Sequence, residues 1–237
     1  MPNFSQENTI ISDSGCWRCD FNPETKVVEY CVFCQGKMAE GVSEKIRSDA
    51  EYKALLIRAL GGPKAYHNFT FGNLSEHDGN REAVEAGMIF NPEKQNLFIW
   101  GPTGTGKTHL ATAIARVGAE IGASVLVLNP AQLMRSCRGI DSSDEEAVIE
   151  NISRTSVFVL DDLGVGRATE FALQILYEII NKRDMNYKNG LIITSNLSLK
   201  ELAEKMNDDR LASRIAGLCK IVKIEGDDNR LKGGRNG

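Results

Sequence analysis

The chain has 237 residues, 42% of them hydrophobic and 25% charged, ordinary proportions that exclude a compositional case for disorder. Its net charge of -4 and pI near 5.5 remove the argument for a broadly basic nucleic-acid-binding surface, so any such contact has to be local. Apolar runs such as Val157 to Leu160 and Leu191 to Ile193 are far shorter than the roughly 20 residues a bilayer helix requires. The N-terminus also lacks a basic segment followed by an apolar one, so a cytoplasmic protein with no membrane partner is expected.

Four of the six cysteines fall in one short segment, as Cys16-Trp-Arg-Cys19 and Cys31-Val-Phe-Cys34. Each CxxC spacing lets two thiolates turn toward one ion, and four sulfurs complete the tetrahedron of a structural Zn²⁺ site. Between the pairs, Asn22-Pro23 reads as a turn and Lys26 to Tyr30 as strand-like, enough for a short hairpin. So small a module buries little apolar surface, and zinc would supply most of its folding free energy. Two disulfides are the alternative, disfavoured in a reducing cytosol. Up to residue 40 there are six acidic side chains (Glu7, Asp13, Asp20, Glu24, Glu29, Glu40) against three basic ones (Arg18, Lys26, Lys37). That balance repels phosphates, so the predicted zinc module, residues 1–42, is expected to bind a protein, with Trp17 and Phe33 as apolar contacts. Cys137 and Cys219 read as core or incidental thiols.

A capping box at Ser48 and Glu51 precedes Tyr52, Leu55, Leu56, Ala59 and Leu60 at helical spacing, which predicts a linker helix within residues 43–65. An aromatic stretch, Tyr66 to Phe71, and a helix from Arg81 to Phe90 open the main domain, residues 66–237. Five short apolar runs follow, at Leu97 to Trp100, Val125 to Leu128, Val157 to Leu160, Leu191 to Thr194 and Lys220 to Ile224. They alternate with segments of helical period, the pattern of an α/β fold with a five-stranded parallel sheet.

Gly101, Pro102, Thr103, Gly104, Thr105, Gly106, Lys107 and Thr108 match the P-loop pattern, directly after the first apolar run and directly before a helical one. In that context the backbone wraps round phosphates, Lys107 reaches the β and γ phosphates, and Thr108 ligates Mg²⁺, so ATP or GTP together with Mg²⁺ is expected, and ATP is the cofactor of the reading that follows. Val157-Phe-Val-Leu-Asp161-Asp162 reads as a buried strand ending in two acids. Asp161 is placed to hold Mg²⁺, mainly through water, and Asp162 to orient or deprotonate an attacking water.

With these motifs the chain resembles the AAA+ helicase loaders of the DnaC and DnaI type from about Tyr66 to Arg230. The likeness rests on Gly106-Lys-Thr-His-Leu-Ala111, Leu160-Asp-Asp-Leu-Gly164, Ile179-Ile-Asn-Lys-Arg183 and Ile192-Ile-Thr-Ser-Asn196-Leu-Ser. A second Asp after the metal-binding one is shared by these loaders and by the related IstB-type transposition helpers. The resemblance implies an AAA+ core without a helical lid domain, consistent with only thirteen residues after Ile224. It also implies that Asn196 senses the γ-phosphate and that Arg214, with Arg210 second, is a finger completing a neighbouring subunit's ATP site, hence self-association through that site. Arg230 stands where the loaders supply a second sensor, although Gly226-Asp-Asp-Asn-Arg-Leu departs from their usual ending. His109 belongs to the pattern as a packing or polar contact. The partners implied are a hexameric replicative DNA helicase, docked through the zinc module, and single-stranded DNA, for which Arg135, Arg138 and Arg154 lie between the second and third strands. A transposition helper ATPase, a scaffold with a vestigial ATPase and a small-molecule kinase are the other readings.

Overall fold

The computed structural model describes residues 20–22, 27–29, 68–120, 123–137, 142–166, 169–187 and 190–229. Cys16, Cys19, Cys31, Cys34, the predicted linker helix, Arg138 and Arg230 lie outside the described residues. Near the N-terminus, β1 (Asp20–Asn22) pairs antiparallel with β2 (Val27–Glu29), Asp20 opposite Glu29 and Asn22 opposite Val27. This hairpin stands where the spacing between the two CxxC pairs predicts one.

The main domain runs from a 3₁₀ turn at Phe71–Asn73 through α1 (Arg81–Met88), β3 (Asn96–Trp100), α2 (Lys107–Glu120) and β4 (Val125–Leu128). It continues through α3 (Pro130–Cys137), α4 (Ser142–Arg154), β5 (Val157–Leu163) and α5 (Glu170–Lys182). A π-helical turn at Arg183–Tyr187 leads to β6 (Gly190–Ser195), α6 (Leu199–Met206), α7 (Asp209–Leu218) and β7 (Cys219–Lys223). α1 stops at Met88, two residues short of the sequence expectation, and Ile89 is 63% exposed.

All five predicted strands form one parallel sheet in the order β4-β5-β6-β3-β7. Because strand side chains alternate between faces, Leu97, Ile99, Val157, Val159 and Ile192 pack with α1 and α2, whereas Phe98, Phe158, Leu160, Leu191 and Ile193 pack with α3 to α7. The sheet is thereby buried on both faces, which is why its strands read as continuous apolar runs. β3 lies between β6 and β7, so the loop leaving it opens at the carboxyl edge of the sheet, where the strand order reverses.

At the opposite edge, Arg183 is only 2% exposed and donates to the carbonyl oxygens of Ile152 (2.8 Å), Ser153 (3.1 Å) and Gly190 (2.5 Å). Its guanidinium also lies 5.7 Å from the Phe158 ring centroid, and burial pulls its pKa down to about 9. The planar fork ties α4 to the start of β6, a span that a single ammonium does not reproduce. Arg183→Lys is expected to lower stability by about 2 kcal/mol through carbonyls left without donors, read as an earlier urea midpoint with unchanged slope.

Candidate nucleotide site

The loop after β3 is held at both ends. Ile224 N–H donates to Trp100 O at 2.7 Å, and Gly101 N–H donates to Ser195 O at 3.2 Å. At Gly101, φ is +150° and a Cβ would run into the Ile224 carbonyl, so only glycine lets the loop leave the sheet this close to β7. Thr105 Oγ1 (2.9 Å) and Lys107 Nζ (2.6 Å) both donate to Pro102 O, folding the loop over the start of α2. Lys107 is 4% exposed.

Gly104, at φ +77°, is crowded from outside by the carboxylate of Asp228, and Asn229 N–H donates to Gly104 O at 3.1 Å. The segment after β7 therefore folds back onto the loop, and Glu225 N–H joins it to Gly79 O at 2.8 Å. Sequence reasoning treated this stretch only through Arg230 and missed Asp228. The acidic pair Asp227-Asp228, close after the last strand, was the available signal.

The two acids do not end the strand, as the sequence predicted; β5 passes through them to Leu163. Its register with β6 runs Leu160↔Ile193 and then Leu163↔Ser195, so Asp161 and Asp162 together oppose Thr194 alone. Alternation puts Asp161 on the face of Val157 and Val159, toward α2, where its Oδ1 accepts from Thr108 Oγ1 at 2.9 Å. Asp162 takes the extra position of the bulge at φ +59°, a conformation costing an ordinary residue roughly 1–2 kcal/mol, and Leu163 then falls among the residues of the other face. Fully buried Thr194 meets both acids: its Oγ1 donates to Asp161 Oδ1 at 2.6 Å and accepts from Asp162 N–H at 2.8 Å. Nothing in the sequence signals a role for Thr194, because only the bulge provides one.

Asn196 follows β6 at the same edge. Ser195 holds that turn, its Oγ donating to Leu163 O at 2.7 Å and accepting from Leu197 N–H at 3.1 Å. Away from this cluster, Arg214 on α7 donates to Asp184 Oδ2 at 2.8 Å, and Arg210 forks onto Asp208, with its shortest contact 2.7 Å. Arg210 is 79% exposed against 32% for Arg214. Arg135 is exposed in the last turn of α3, and Arg154 is paired with Glu150 at 2.9 Å. His109 stacks on Phe69, centroids 4.6 Å apart, and its Nε2 lies 2.8 Å from Thr70 O. Because a carbonyl only accepts, Nε2 carries the proton; burial lowers the pKa of this ring, which serves as a packing and polar contact. Cys137 and Cys219 are buried core thiols, and burial raises the pKa of both, Cys219 to about 12.

A phosphate loop at the strand-order reversal, with a hydroxyl and a carboxylate in contact behind it, defines a P-loop nucleotide-binding domain. The family model for IstB-like ATP binding proteins matches residues 44–236, and the chain belongs to that family. The replicative helicase loader DnaC of Buchnera aphidicola (subspecies Schizaphis graminum) is 30% identical over 177 residues, 68% of this chain and 72% of the relative. The insertion sequence IS21 ATP-binding protein of Pseudomonas aeruginosa is 27% identical over 152 residues, 62% of this chain and 57% of the relative. Among solved structures, the replication initiator DnaA bound to AMPPCP and single-stranded DNA aligns with a TM-score of 0.59 at 25% identity. That alignment covers 67% of this chain and half of the DnaA chain. Among the described residues no helix is long and apolar enough to cross a membrane.

Proposed function

We propose that this chain is an ATPase switch that helps place a ring-shaped replicative helicase on DNA. The ATPase reading rests on the contact between Thr108 Oγ1 and Asp161 Oδ1, a pair of hard oxygen ligands of the kind Mg²⁺ prefers, set beside a loop in which Gly101, Gly104 and Gly106 all have positive φ. In this reading the backbone from Gly101 to Thr108 cradles the phosphates and Lys107 turns from Pro102 O to the β and γ phosphates. Thr108 and Asp161 would hold Mg²⁺, which would supply charge neutralisation to the phosphates. Asp162 orients the attacking water and Asn196 reads the γ-phosphate. Arg230 is assigned to the nucleotide from the resemblance alone.

Helicase loading, as the use of that switch, is supported by the likeness to a DnaC loader across most of both chains. Residues 1–42 are proposed as the docking module, with Cys16, Cys19, Cys31 and Cys34 holding Zn²⁺; the β1–β2 hairpin starts next to Cys19 and ends two residues before Cys31. Release of one zinc per chain by a thiol-modifying reagent is expected, and a metal-free chain would remove this part. Partner capture with the tagged full chain, and with a chain lacking residues 1–62, decides the whole. A replicative helicase recovered only by the full chain supports loading, whereas a transposase favours the transposition-helper reading that the IS21 likeness keeps in play.

Arg214 is proposed as the residue that reaches a neighbouring subunit's ATP, exchanging its pair with Asp184 for phosphate charge. Mixing Arg214→Ala with Lys107→Ala chains is expected to restore part of the ATPase activity that each lacks alone; no recovery would argue against a shared site. Single-stranded DNA, with Arg135 at the candidate surface, is expected to change the hydrolysis rate, and an indifferent rate would remove it from the cycle.

A further inference from the structure

We infer that Thr194 is a positioning residue coupling the two acids, so that its hydroxyl sets the rate of ATP turnover and not ATP affinity. The inference rests on the reading of Asp161 and Asp162 as the metal-holding and water-orienting acids.

The chemistry of the contacts leaves one arrangement. A backbone N–H can only donate, so Thr194 Oγ1 is the acceptor for Asp162 N–H, and its single proton goes to Asp161 Oδ1. One buried oxygen thus bridges the carboxylate of one acid and the backbone of the next. The bulge explains why a hydroxyl is required there. Two residues of β5 face one residue of β6, so Asp162 N–H loses its regular ladder partner, and the side chain of the opposing residue takes that place. The same bond holds Asp162 at φ +59°, outside the alternation that would send its carboxylate to the face of Phe158 and Leu160. The donation to Asp161 Oδ1, shared with Thr108 Oγ1, fixes the rotation of that carboxylate. Thr194 therefore controls the relative placement of both acids without belonging to the loop or to Lys107.

The test compares Thr194→Val, which keeps the shape and deletes the hydroxyl, with Thr194→Ser, which keeps the hydroxyl. Asp162→Asn is run beside them. Thr194→Val is expected to lower kcat at least tenfold while KM and the ATP dissociation constant stay within about twofold, and Thr194→Ser to stay within about twofold of the natural chain throughout. If Thr194→Val does not fold, Thr194→Ala, which leaves room for a water at the Asp162 N–H, replaces it with the same expected split. Unchanged kcat in the variant lacking the hydroxyl, with Asp162→Asn inactive, overturns the role of Thr194 and leaves the ATPase reading standing. Equal losses in the Ser and Val variants, or losses of ATP affinity matching those of kcat, overturn it in favour of packing. Full activity in Asp162→Asn removes the underlying assignment of the acids.

Discussion

Asp162→Asn is expected to bind ATP as the natural chain does and to hydrolyse it on the order of 10² to 10⁴ times more slowly, the range that general acid–base groups contribute. The substitution is unusually clean at this position. Asp162 sits in the bulge at φ +59°, and asparagine is among the few residues that tolerate left-handed backbone, so the strand has no reason to move. The Asp162 N–H bond to Thr194 belongs to the backbone and survives the change. What disappears is one carboxylate's ability to accept a proton or align a water. Single-turnover hydrolysis together with equilibrium binding of a labelled ATP analogue measures the two halves separately. Hydrolysis at the natural rate would show that the second acid is not the catalytic one.

Lys107→Met should abolish the thermal stabilisation that ATP confers without unfolding the nucleotide-free protein. Lys107 is 4% exposed and spends an Nζ–H on Pro102 O, so its charge is already withdrawn from water before any ligand arrives. Replacing a buried cation with an unbranched apolar chain removes a desolvation cost along with the hydrogen bond, and the two nearly offset. ATP at 100 times its dissociation constant stabilises the natural chain by about 2.7 kcal/mol, which in a domain of this size is roughly 5–10 °C in Tm. Loss of the charge-assisted contacts to phosphate should weaken binding by on the order of 10²-fold and bring that shift close to zero at the same ATP concentration. Differential scanning fluorimetry with and without Mg-ATP reads both quantities. A persistent ATP shift would take Lys107 out of the site, and a collapsed Tm without ATP would make its role structural.

The elements legible in the sequence were those with short-range causes. The five strands were visible because a parallel sheet covered on both faces makes each one a compact apolar run. The loop between β3 and α2 was visible because its glycines and Lys107 are fixed by local backbone geometry. Element ends were less secure: helix period carried the first helix to Phe90, where the fold stops it at Met88, and β5 was cut short at the acids it runs through.

What the sequence determined by itself is the class of chemistry: a phosphate loop, two acids two strands later and an alternating α/β order, each set by residues within a few positions of one another. The tertiary structure alone decided how those parts meet. The strand order puts β6 between β5 and β3, bringing Thr194 against both acids; the bulge turns Asp162 out of register; and the return of the chain after β7 sets Asp228 on Gly104. Arg183 likewise gains its three carbonyls only once α4 and β6 are side by side. These contacts join residues that the chain keeps far apart or pairs through a single irregular register, and neither composition nor periodicity carries that information.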